Sequence, residues 1–359
     1  MPPGVGSSAH KKIEEPPSEL KREDIIILDG GFASQLSCHV DKPIDGDVLW
    51  SARFLATDPE AVIEAHLDFL RAGSNLIMTN TYQASVGGFV QHMKMTEPEA
   101  YELIKKSVEL AKTAVRKFQL EYPECPQPLI VGSVGPYGAS LHDASEYTGS
   151  YAKTTSVETM RDWHRPRIEA LIEAGVDLLA LETIPCRIEA EMLLDLIKEF
   201  PNVKAWLAFS CAQDGKSIAN GENFQETARK CYDLNPRQLV AVGANCLAPR
   251  LVESLFKDIN KGRRHKPLPL IVYPNSGESY NVNQGWINRD KCEPVEQYIP
   301  LWLDIGIRWV GGCCRTYATD IMMIRNQAKR WQQKRLVLTN ANLNEQIQIG
   351  FNKELTCSN

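Results

Sequence analysis

The stretch Leu239-Val240-Ala241-Val242-Gly243-Ala244-Asn245-Cys246 decides the fold. Residues 239–243 form an apolar run too short for a helix, and two small steps later it meets a polar Asn and a Cys. Apolar runs of four to eight residues suit strands buried on both faces, as in a parallel sheet. Working outward, similar runs recur upstream at 25–28, 76–79, 129–132, 177–181 and 205–209, and downstream at 270–273 and 307–310. That makes eight strands.

Helical patterns fill the gaps. Asp58-Pro59-Glu60 opens one, with Ile63, Leu67 and Leu70 on one face and Gly73 as its stop. Glu97-Pro98-Glu99 opens the next, with Ile104, Val108, Ala111, Val115 and Phe118 along its buried stripe. Acidic residues and Pro in a first turn, with Gly just past the end, are helix start and stop signals. Further helices are expected at about 155–174, 187–199, 223–234, 248–260, 294–305 and 317–332, with Pro166 kinking the first or marking its true start. Eight strands alternating with eight helices predict an α/β fold, a single (β/α)8 TIM barrel. An open doubly wound sheet shares the alternation, but no G-x-G-x-x-G follows the first strand, which weakens its nucleotide-binding version.

Composition narrows the function classes. The chain has 359 residues, 43% hydrophobic and 24% charged, which is enough to bury a large core without disulfides. A formal net charge of −5, with Lys and Arg scattered apart from the run at 261–266, gives no reason to expect a nucleic-acid partner. No segment has the ~18 apolar residues of a membrane span, and residues 1–24 lack an apolar signal core, so a cytoplasmic protein is expected. Residues 1–22 read as a disordered leader, 23–335 as the barrel and 336–359 as a C-terminal tail. Ten cysteines without a secretion signal point to free thiols or a metal site.

A TIM barrel carries its chemistry at the C-terminal ends of its strands. Those positions hold Asp29-Gly30-Gly31, Asn80-Thr81-Tyr82, Ser133-Val134-Gly135-Pro136, Glu182-Thr183, Ser210, Asn245-Cys246, Pro274-Asn275-Ser276 and Gly311-Gly312-Cys313-Cys314-Arg315-Thr316. Cys246 ends the sixth strand and Cys313-Cys314 the eighth, so three sulfurs are expected to converge over one mouth. Three thiolates without a His suit Zn2+, at about 2.3 Å per Zn–S bond, and three protein ligands leave a tetrahedral position open for substrate. The bland alternative is a pair of buried thiols or a vicinal disulfide at 313–314.

The strings Leu28-Asp29-Gly30-Gly31, Gly243-Ala244-Asn245-Cys246 and Gly311-Gly312-Cys313-Cys314-Arg315-Thr316 resemble the homocysteine S-methyltransferase family, across about residues 24–332. The resemblance implies zinc on Cys246, Cys313 and Cys314, and methyl transfer to the thiol of homocysteine to give methionine. The segments 47–52 and 79–85 look most like the branch that uses S-methylmethionine, with S-adenosylmethionine as a substitute donor. Betaine as donor, selenocysteine as acceptor, and a non-catalytic zinc or redox-sensing barrel are the rivals.

The chemistry then distributes roles. A thiol is mostly protonated at neutral pH, and coordination to zinc deprotonates it. A sulfonium donor leaves as a neutral thioether and needs no general acid, which fits strand ends without a His. The ammonium of homocysteine needs an anion, and Asp29 and Glu182 are the two carboxylates in place; their bland readings are a turn-former and a helix N-terminal acid. Asn245 joins the substrate side, and Gly30 and Gly31 offer backbone N–H groups to a carboxylate. Trp50, Tyr82 and Phe32 are candidates for cation–π contact with the donor. Tyr273 and Asn275 either bind a carboxylate or line the pocket. The expected substrates are therefore small molecules, homocysteine and a methyl sulfonium donor, with no nucleic-acid or membrane partner.

Overall fold

The computed structural model describes residues 24–281 and 285–356. The expected leader, 1–22, lies outside the described residues. Eight parallel strands, Ile26–Ile27, Leu76–Met78, Leu129–Val134, Leu178–Ile184, Lys204–Phe209, Leu239–Asn245, Leu270–Tyr273 and Ile307–Val310, form one nearly closed barrel with helices between them. The first strand pairs with the eighth, and each later strand with its sequence neighbour. The seam between the first two strands is stitched differently. Asn75 donates its N–H to the Ile27 carbonyl at 2.7 Å and accepts from the Ile27 N–H through Oδ1 at 2.8 Å. The Asp29 carboxylate accepts from the Met78 N–H at 2.7 Å.

Unbroken apolar runs are required because each strand is buried twice. Leu178, Ala180, Trp206, Ala208, Ile271, Tyr273 and Trp309 point into the barrel, while Leu179, Leu181, Leu207 and Phe209 pack under the helices. Trp206 fills the centre against Trp309 and Tyr273, and its Nε1–H donates to the Tyr273 hydroxyl at 3.0 Å. Tyr273 thus ties the barrel core to the floor of the mouth.

Several helix ends follow their sequence signals. Asp58 caps Pro59–Ala72, Gly73 closes it at φ 97°, and Thr96 with Glu99 forms a capping box on Glu97–Glu121. Pro166 neither starts nor ends its helix, which runs Val157–Glu173 from a Ser156 cap. The expected helix at 248–260 shortens to a 3-10 turn and Val252–Phe256. A hairpin, Ser279–Asn281 with Gly285–Ile287, follows the seventh strand. The last helix begins at Ala318 and continues to Thr356, through most of the segment expected as tail. No helix among the described residues is long and apolar enough to cross a membrane.

Candidate active site

A cleft opens at the C-terminal end of the barrel. Cys246, Cys313 and Cys314 line it, all three as free thiols, and their sulfurs lie within 4.8 Å of one another. The Cys246 and Cys314 sulfurs are 3.8 Å apart. Tetrahedral coordination with 2.3 Å metal–sulfur bonds puts ligand sulfurs about 3.8 Å apart. The donor set and its spacing therefore fit a thiophilic metal with a fourth position facing the cleft.

Short turns place these sulfurs. The Cys313 N–H reaches the Pro274 carbonyl at 2.6 Å, and the Cys246 N–H reaches the Tyr273 carbonyl at 3.2 Å. Cys246 sits at φ 51°, Thr183 at 59° and Arg315 at 63°, left-handed conformations that disfavour residues with a Cβ. Non-glycine strain of this kind gathers at functional sites. Asn245 pays for part of it: its Oδ1 accepts from the Thr183 N–H and its Nδ2 donates to the Thr183 hydroxyl, both at 2.8 Å.

Glu182 is buried on the cleft wall and held by the Ser133 hydroxyl and by Tyr273. Burial pushes its carboxyl up to about 7, against the pull of those two hydrogen bonds. Asp29 stands elsewhere. It is fully buried behind the lining, with Oδ2 on the Met78 N–H and Oδ1 without a hydrogen-bond partner. Burial holds its carboxyl well above the usual range, and nearby Glu182 adds to the effect.

Gly30 and Gly31 line the cleft, but the Gly31 N–H is taken by the carbonyl and hydroxyl of Thr316, at 2.9 and 3.1 Å. A Cβ on Gly31 would run into the Cys313 carbonyl, so close packing on the cysteine turn accounts for this glycine. Asn275 does not line the cleft; its N–H bonds the Leu247 carbonyl and its Oδ1 accepts from Gly277 N–H.

Phe32, Trp50, Tyr82 and Tyr273 do line the cleft. Trp50 and Tyr82 meet edge-on at 5.9 Å between ring centroids, and the Trp50 indole N–H donates to Asp45 at 3.1 Å. Two contributors escaped the sequence reading. Tyr147 comes from a 3-10 turn, Ser145–Tyr147, deep in the connection after the third strand, and joins the cleft wall. Arg167 is buried on the helix Val157–Glu173, where its guanidinium donates to the carbonyls of Thr81, Tyr82 and Gly135 at 2.8–3.0 Å. Burial lowers its ordinary value to about 10. A signal for Arg167 existed: it shares a helical stripe with Met160 and Leu171, both buried.

The chain resembles known proteins in sequence and fold. The family described as homocysteine S-methyltransferase matches residues 26–328. A Drosophila melanogaster protein named betaine-homocysteine S-methyltransferase is 48% identical over 84% of this chain and 93% of its own. An Escherichia coli homocysteine S-methyltransferase is 39% identical over 85% and 96%. A crystal structure of the Escherichia coli homocysteine methyltransferase in a metallated form superposes with a TM-score of 0.74 at 38% identity, covering 85% of this chain and 96% of that one. With a match across the barrel and relatives this similar along nearly their full length, the chain belongs to the homocysteine S-methyltransferase family.

Proposed function

We propose that the chain transfers a methyl group from S-methylmethionine to the thiol of homocysteine, with zinc held by Cys246, Cys313 and Cys314. The observation that carries this reading is the three-sulfur cluster, gathered within 4.8 Å with one pair at 3.8 Å, sharing one cleft with a buried carboxylate and an aromatic wall. When bound, zinc supplies a positive centre that deprotonates the substrate thiol and keeps it oriented. Glu182 takes the homocysteine ammonium. Asp29 holds the seam next to that wall through the Met78 N–H. Asn245 fixes the Thr183 turn beside Glu182.

The chemical step is a displacement. The homocysteine sulfur forms a bond to the methyl carbon as the donor's S–CH3 bond breaks, and that electron pair leaves on a neutral thioether. The thiol proton goes to solvent. With S-methylmethionine, both products are methionine. Trp50, Tyr82 and Tyr147 present π-faces to the donor's positive charge, at ~0.5–2 kcal/mol per contact. Asp45 and Glu146 make the rim acidic, and Glu146 Oε2 is buried without a hydrogen-bond partner. An acidic rim favours a donor with an extra ammonium and disfavours betaine, whose only other charge is a carboxylate.

The name of the 48% identical Drosophila relative favours betaine as a second reading. Metal content and methionine formation from homocysteine, measured with S-methylmethionine, S-adenosylmethionine and betaine at equal concentration, separate the two. S-methylmethionine should be fastest and betaine inert. Betaine outpacing it would overturn the donor assignment, and a purified protein without zinc would overturn the metal.

A further inference from the structure

The turn that carries Cys313 and Cys314 is gripped from the insertion after the seventh strand. Glu278, whose side chain is 2% exposed, sits between two guanidiniums. Its Oε2 accepts from Arg289 Nη1 at 3.0 Å, from the Ser276 hydroxyl at 2.7 Å and from Arg315 Nε at 3.4 Å; its Oε1 accepts from Arg315 Nη2 at 3.5 Å. Arg289 Nη1 also reaches the Arg315 carbonyl at 2.8 Å, so one guanidinium holds both the carboxylate and the backbone of the turn. The grip continues on either side. The Ser276 N–H donates to the Cys314 carbonyl at 3.1 Å, the Arg315 N–H to the Ser34 hydroxyl at 2.9 Å, and Arg315 Nη1 to the Tyr317 hydroxyl at 2.8 Å.

Arg315 needs holding, because its φ of 63° is a conformation an arginine leaves when nothing restrains it. Burying a carboxylate between two cations is a poor way to gain stability, since desolvation offsets much of the attraction. What such a pair does well is fix one geometry. The turn it fixes must aim two adjacent thiols at a third on another strand. Three thiolates repel one another, so an unrestrained turn would swing away before the metal arrived.

We propose that Glu278 is a positioning residue for the metal: by gripping Arg289 and Arg315 it presets the 313–315 turn so that both thiols face Cys246. The inference rests on the metal reading above and assigns Glu278 no contact with substrate. Partners that orient metal ligands change metal affinity by about 10- to 100-fold when removed.

The test is competition for zinc between the metal-free full-length protein and a chromophoric chelator, for the parent, Glu278→Gln, Glu278→Asp and Arg289→Gln. Glu278→Gln should weaken zinc by about 10- to 100-fold at unchanged stoichiometry. Glu278→Asp, which keeps the charge, should recover part of that loss. With Co2+ in place of zinc, the thiolate-to-metal absorption of Glu278→Gln should differ from the parent's, which a merely structural role would leave unmoved. Arg289 is 46% exposed, so Arg289→Gln still decides the matter if Glu278→Gln does not fold; it should lose affinity by a smaller factor. Parental zinc affinity in Glu278→Gln, or in Arg289→Gln where Glu278→Gln does not fold, would overturn the proposal, as would no recovery in Glu278→Asp. A parent that binds no zinc removes the metal reading itself, and the parent's own titration distinguishes that failure from failure of the grip.

Discussion

The two walls of the cleft are built in different ways. On the sulfur wall, Glu182, Cys246 and Cys313 stand at or within three residues of a barrel strand, and the Cys246 and Cys313 N–H groups bond to carbonyls at the end of the seventh strand. On the aromatic wall, Trp50, Tyr82 and Tyr147 come from connections, and side chains reaching in from elsewhere hold them. Arg167 fixes the Tyr82 carbonyl from a helix, and Gln83 Nε2 joins the carbonyls of Val48 and Ala139. The difference teaches what each wall tolerates. Metal geometry fails when a ligand moves by a few tenths of an ångström, so the proposed ligands sit at a strand end and on a braced turn. Donor choice varies by loop, as barrel chemistry commonly does.

The strongest way to break that contrast is through the sulfur wall. Cys314→Ser should lose most of its zinc and most of its activity, because a ligand is replaced by a poor one. Thermal unfolding of the metal-free protein should barely change, since Cys314 contributes little to the core. Metal analysis beside calorimetry checks both halves; full zinc occupancy would contradict the assignment of this wall.

Arg167→Met attacks the other wall. Three carbonyls lose their donor inside the protein, a loss of about 2–4 kcal/mol of stability. Zinc content should stay near the parent's, and KM for the methyl donor should rise by a larger factor than KM for homocysteine, which Arg167 touches only through its charge near Glu182. If KM rises equally for both substrates, the walls are not independent and the contrast fails.

The same contrast explains what was legible in the sequence. Strand ends follow from counting apolar runs, so Cys246, Cys313-Cys314 and Glu182 could be placed beside one another from periodicity alone. Tyr147 could not, because it lies 13 residues past the third strand, and no local pattern says which way a long connection folds. Asp29 was legible as a strand-end acid, yet the seam between the first two strands takes its carboxylate away from the cleft surface. That outcome depends on how the barrel closes, a long-range property. The last helix was legible only in its first part: Ile321, Ile324 and Ala328 give it a buried face, while the polar, Asn-rich sequence past residue 335 reads as tail.

Glu182→Gln sharpens the sulfur wall from the inside. KM for homocysteine should rise about 10- to 100-fold as the ammonium loses a charged partner. The parent's own KM should climb as pH falls below about 7, where burial allows Glu182 to take a proton. Stability runs the other way. An acid whose folded value is raised penalises the native state above that value, and the penalty fades as pH falls toward the unfolded value near 4.5. Glu182→Gln should therefore exceed the parent in stability by on the order of 1–3 kcal/mol at pH 8 and lose that advantage by pH 4. Urea unfolding at the two pH values gives the result, and an advantage that grows on acidification would reverse the sign.

The smallest effect on catalysis belongs to His66, which lies one layer behind the cleft. Its ring packs 4.6 Å from Phe32, is fully buried, and has no hydrogen-bond partner at either nitrogen. Burial pushes it down to about 3, so it stays neutral in the fold while an unfolded His takes a proton near 6.5. A base whose folded value is depressed favours the native state fully above 6.5 and loses that support as pH falls toward 3. Between pH 7.5 and pH 5 the parent should lose about 2 kcal/mol through this residue. His66→Phe has nothing to titrate, and a ring of similar shape keeps the contact with Phe32. Urea unfolding of both proteins at both pH values isolates the difference, because every other group titrates in both. Kinetics at pH 7.5 should be nearly unchanged, since the neutral imidazole offers the cleft only its shape. Equal acid losses in parent and variant would mean that His66 finds a partner or solvent in the native state, and that Phe32 is backed by a less rigid layer than its packing indicates.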